Sequence, residues 1–120
     1  MEKDNTLNWN TKENKQLVEA LLSIQNADEA KRFLRDLMTE GEIEEFSKRL
    51  EAARLLSRNT QYATIIERTG LSSTTIARIS KWLKGSLGGY TLVLSRLSTT
   101  RSITLGVNHH LSPKLGKGLS

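Results

Sequence analysis

The sequence predicts an all-α protein of about six helices, and three observations carry that reading. Apolar residues recur at helical spacing along most of the chain, and no stretch alternates as a strand would. Proline occurs once, as Pro113, so almost nothing interrupts a helix. The 120 residues have room for one core of ordinary size. The expected organisation is a flexible leader at 1–13, a helical domain at 14–97 and a disordered, basic tail rich in Ser, Thr and Gly at 98–120.

Taken in order, Leu17, Val18, Leu21 and Leu22 give the apolar stripe of a first helix. After a break at residues 26–28, Ala30, Phe33, Leu34, Leu37 and Met38 give a second, with Asp28 as its expected cap. Thr39 stands three residues before Glu42, the spacing at which hydroxyl and carboxylate satisfy each other's backbone donors in a capping box. A longer helix follows, its buried face expected at Ile43, Phe46, Leu50, Ala53 and Leu56. It ends near Arg58 and Asn59, because Asn tolerates a left-handed backbone, and Thr60 is placed to cap what comes next. A short helix then runs from about Gln61 to Thr69 with Tyr62, Ile65 and Ile66 inward, and Gly70 stops it. Ser72 or Ser73 can cap the next helix, whose inward residues are Ile76 and Ile79. Gly85, Gly88 and Gly89 read as a C-cap and loop, and Trp82 is expected to pack against Leu83, Tyr90 and Val93.

The formal net charge of +5 is unevenly spread. Up to Glu40 there are six Lys/Arg against eight Asp/Glu, then five against five to Thr69, then seven against none. The excess follows the glycine turn and favours an anionic partner for that half. Without cysteine there is neither a disulfide nor a thiolate metal site, which suits a reducing compartment. The opening MEKDNTLNWNTKENK lacks the pattern of a secretory signal, and no apolar run reaches spanning length, so a soluble cytoplasmic protein without a membrane partner is expected. No nucleophile, base and orienting group recur at readable spacing, so no enzyme and no cofactor are expected. His109 and His110 are adjacent, with no cysteine or neighbouring carboxylate, and make a poor metal site.

Two short helices joined by a glycine turn, at about 61–84, have the organisation of a helix-turn-helix. Ile65, Leu71, Ile76 and Ile79 fall where the two helices bury side chains against each other. The second helix then presents its hydroxyls and bases outward. The expected DNA-binding residues are Ser72, Ser73, Thr74, Thr75, Arg78 and Lys81: small hydroxyls let a helix N-terminus approach phosphates closely, and the bases lie one turn apart.

The run from Ser47 to Leu97 resembles the Trp repressor superfamily, and in particular its Trp repressor-like branch of small bacterial proteins. The likeness rests on Arg49, Ala52 or Ala53, Leu55 and Leu56, then Tyr62, Ile65, Thr69, Gly70, Ser72, Thr75, Ile76 and Arg78, then Gly89, Tyr90, Leu94 and Arg96. The upstream helices extend it to roughly residues 14–97. The resemblance implies an intertwined homodimer of six-helix subunits acting on double-stranded DNA as a transcriptional regulator, most simply a repressor. It also suggests an effector pocket at Lys48, Arg49 and Arg78. Ile79, however, stands where the repressor has a glycine beside its indole ligand, and a branched side chain there costs of order 1–3 kcal/mol in overpacking. No tryptophan response is therefore expected. The alternative is a helical module that keeps the motif as a scaffold and binds protein or RNA; steep salt dependence and discrimination between duplexes would distinguish the regulator from it. In the tail, Arg101, Lys114 and Lys117 are placed to follow DNA phosphates.

Overall fold

The computed structural model describes residues 7–85 and 87–99, and among them there are six helices and no strand. They are α1 (Lys12–Ser23), α2 (Ala27–Leu37), α3 (Glu40–Ser57), α4 (Tyr62–Thr69), α5 (Ser73–Leu83) and α6 (89–99). The rest of the leader, the tail from residue 100 with Arg101, Lys114 and Lys117, and His109 and His110 lie outside the described residues. The final helix continues through Ser98 and Thr99.

Helix starts are set by short polar side chains. Thr11 caps α1, its hydroxyl accepting from Asn14 N–H at 3.1 Å. The cap of α2 is Asn26 rather than Asp28: its side-chain oxygen accepts from Glu29 N–H at 3.0 Å. Asp28 instead sits in the first turn, near the positive end of the helix dipole, and pairs with Arg32 at 3.2 Å. Thr39 and Glu42 form the expected capping box, with bonds of 3.1 and 2.9 Å. Asn59 takes the left-handed conformation, φ 62°, and ends α3 where the sequence placed the break. Thr60 does not cap α4; that position belongs to Gln61, which makes no side-chain cap bond.

The core lies where α4 and α5 pack against the second half of α3. Ala52, Ala53, Leu55, Ile65, Leu71, Ile76 and Ile79 are buried, and Leu56, Leu83, Tyr90 and Leu94 close around them. Two consecutive alanines on α3 let the short helices approach closely, because interaxial distance is set by the side chains at the contact. The buried face of α3 is therefore turned from the one expected. Ile43, Leu50 and Leu56 are half-buried, and Phe46 is 48% exposed beneath the Arg49 guanidinium, 5.9 Å from its ring centroid. Tyr62 and Ile66 are likewise exposed, leaving Ile65 and Thr69 as the inward residues of α4.

No residue of α1 or α2 is buried. The α1 stripe is legible but uncovered, with Leu21 52% and Leu22 79% exposed. Trp82 keeps 38% of its surface open, so it is less buried than expected. No described helix is long and apolar enough to cross a membrane.

Candidate nucleic-acid interface

The turn between α4 and α5 is held by one hydroxyl and one glycine. Gly70 adopts φ 77°, ψ 3°, a left-handed conformation that disfavours any side chain, and its N–H donates to Ile66 C=O at 2.7 Å. Thr69, the one buried polar residue among those described, donates its hydroxyl to Ile65 C=O at 2.7 Å and accepts from Leu71 N–H at 3.2 Å. It thereby ties the end of α4 to the strand of turn that enters α5. Periodicity alone does not single out Thr69 for this role; its place immediately before a turn glycine is the signal that does.

The start of α5 is fixed by Ser72. Its Oγ accepts from Thr75 N–H at 3.1 Å and lies 3.1 Å from Thr75 Oγ1, to which it donates. Beyond that cap, the N–H groups of Ser73 and Thr74 have no carbonyl within the helix to bond. Ile76 and Ile79 are fully buried, so the opposite face must point to solvent. Ser73, Thr74, Ala77, Arg78 and Lys81 are all exposed there, Ser72 is exposed at the cap, and Thr75 is half-buried at the edge.

Arg32, Arg35, Arg49 and Arg54 are each bound to a carboxylate, at 3.2, 3.7, 3.2 and 2.7 Å. The Arg78 and Lys81 side chains are exposed and have neither an ion pair nor a hydrogen bond among the described residues. The Arg54 guanidinium holds Glu51 with two bonds, which raises its already high pKa.

The residues suggested for an effector pocket differ in state. Lys48 and Arg78 are exposed, whereas Arg49 is half-buried, bound to Glu45 and stacked over Phe46. Burial pushes the Tyr90 phenol up, and the nearby charge of Arg49 partly opposes it. Ile79 is fully buried beside Ala52 and Ala53 in the core cluster. Among the described residues no buried side-chain nitrogen or oxygen lacks a partner, and no cluster of ligating side chains is present.

The Trp repressor protein family matches residues 12–98, which takes in all of α1 to α5 and nearly all of α6. The chain belongs to the Trp repressor family. Within it, this member is 36% identical over 91 residues to the YerC protein of Bacillus subtilis (strain 168), covering 76% of this chain and 88% of YerC. A TrpR-like protein from Eubacterium eligens has a crystal structure that superposes with a TM-score of 0.71 at 38% identity, covering 75% of this chain and 93% of that one. A crystal structure from Staphylococcus aureus superposes at 0.66 with 34% identity, over 70% of this chain and 84% of that one. The helical architecture of this Trp repressor family member is thus shared with solved relatives, and its family is one of regulatory, DNA-binding proteins rather than enzymes.

Proposed function

We propose that this Trp repressor family member is a dimeric, sequence-specific DNA-binding repressor of transcription, and that α5 is its reading helix. One observation carries the reading: α5 is locked onto the core by Ile76 and Ile79 while its opposite face is exposed, hydroxyl-lined and provided with unpaired cations. In this reading the N–H groups and hydroxyls of Ser73 and Thr74 meet a phosphate. Ser72 and Thr75 hold the helix start against the backbone, and Arg78 and Lys81 reach base edges. The exposed apolar stripe of α1 supports a dimer, since Leu17, Val18, Leu21 and Leu22 need a second surface to cover them. A dimer of this kind reads two half-sites about 34–36 Å apart, one turn of the duplex.

Tryptophan is not its effector in this account. Ile79 occupies the space beside Arg78 that a flat ligand would need, and Arg49 is already committed to Glu45. Selection of bound duplexes from a random library, at near-physiological salt with and without tryptophan, tests the proposal. An enriched palindrome independent of tryptophan is the expected result. Enrichment only with tryptophan would overturn the argument from Ile79. No enrichment would favour a helical module that binds protein or RNA.

A further inference from the structure

Trp82 is 38% exposed, although an aromatic residue at helical spacing usually buries its area. Its position on α5 explains the exposure. Ile76, Ile79 and Leu83 define the side facing the core. Trp82 is one turn beyond Arg78 and three residues beyond buried Ile79, so it stands on the flank of α5, between the exposed Arg78 and the side facing the core. Thr74 and Arg78 are exposed with it, and from Gly70 onward the sequence has no acidic residue. The indole N–H makes no hydrogen bond among the described residues.

An indole offers one donor, no acceptor and no charge. It cannot pair with a base edge in the two-bond manner that discriminates sequence, and the bases of an intact duplex are stacked against one another and closed to a ring. What remains for such a group on this face is the DNA backbone. We propose that Trp82 is a backbone-contacting residue: its N–H donates to a phosphate oxygen at the edge of each half-site, and its ring covers the adjoining deoxyribose. The proposal rests on the reading of α5 as a DNA-reading helix. It assigns to Trp82 a share of affinity that carries neither sequence information nor counterion release.

The chain has two tryptophans, so a Trp9→Phe protein reports on Trp82 alone. Its fluorescence should be open to quenching by acrylamide in the free protein and shielded when the selected duplex is added. Trp82→Phe, which keeps a ring and removes the donor, should lose about tenfold in affinity for selected and unrelated duplexes alike. Because no charge is removed, the slope of log affinity against log salt should not change. An unaltered urea midpoint for Trp82→Phe separates this role from a structural one. Trp82 already shielded in the free protein, or Trp82→Phe binding as the parent does while the parent still discriminates, would overturn the inference and leave the DNA reading in place. A parent that distinguishes no duplex overturns both.

Discussion

Arg78 and Tyr90 show how differently a residue can depend on its surroundings. The Arg78 side chain has neither an ion pair nor a hydrogen bond among the described residues, so its contribution belongs to the complex. Arg78→Ala should leave the thermal midpoint unchanged and relax discrimination at one base pair of each half-site, costing about 1–3 kcal/mol. Titrating the variant against duplexes mutated at single positions checks this; a uniform loss at every position would make Arg78 a phosphate contact instead. Tyr90 depends on the fold, because burial raises its phenol above the ordinary value near 10. The unfolded chain gives up this proton first, so the stabilisation is complete below the ordinary value and is lost as pH rises through the folded one. Ultraviolet titration of a Tyr62→Phe protein, which leaves Tyr90 as the only tyrosine, should show phenolate appearing later in the native state than in urea. Coincident curves would contradict the account.

At the scale of the element, the α4–turn–α5 unit stands on the Thr69 hydroxyl as much as on Gly70. Thr69→Val keeps the shape and deletes the group, leaving buried Leu71 N–H without its acceptor, which costs about 1–3 kcal/mol. Chemical denaturation should register that loss, and DNA affinity should fall with it because the turn aims α5. A variant as stable as the parent would mean that the turn is fixed by packing alone. Much of this unit was legible in advance. Gly70, the Ser72 cap and the inward Ile65, Ile76 and Ile79 follow from spacing, since a tight turn between two short helices leaves few arrangements that bury those residues. Caps were less legible: Asn26 and Asp28, or Thr60 and Gln61, are competing positions a residue or two apart, and only the path of the chain chooses between them. Periodicity identified Ala53 on the buried face of α3, yet that face also runs through Ala52 and Leu55, because small residues go where helices come closest. Trp82 is only partly covered for a related reason: residue type suggests burial, while its angle on α5 sets it on the flank between Ile79 and Arg78.

For the whole molecule, the organising fact is that burial is confined to α3 onward while α1 carries exposed leucines. A hydrophobic stripe can be read from sequence, but what covers it belongs to another surface and is not encoded in the stripe. If a second copy covers it, the unfolding temperature should rise with protein concentration, and Leu21→Glu should shift sedimentation toward the monomer. A concentration-independent midpoint with a monomer at every concentration would remove the dimer from the account. From Gly70 onward the chain has seven Lys/Arg and no acidic residue, whereas before the turn cations and carboxylates are mixed and Arg32, Arg35, Arg49 and Arg54 are paired, a charge asymmetry that suits a polyanion at the α5 half.

If this molecule discriminates DNA sequence through α5, the affinity gap between its selected duplex and a scrambled one at near-physiological salt shows it. The account predicts a gap of about 4 kcal/mol or more that narrows in Arg78→Ala while both affinities fall steeply as salt is raised. Equal affinity for the two duplexes, or binding indifferent to salt, would contradict it.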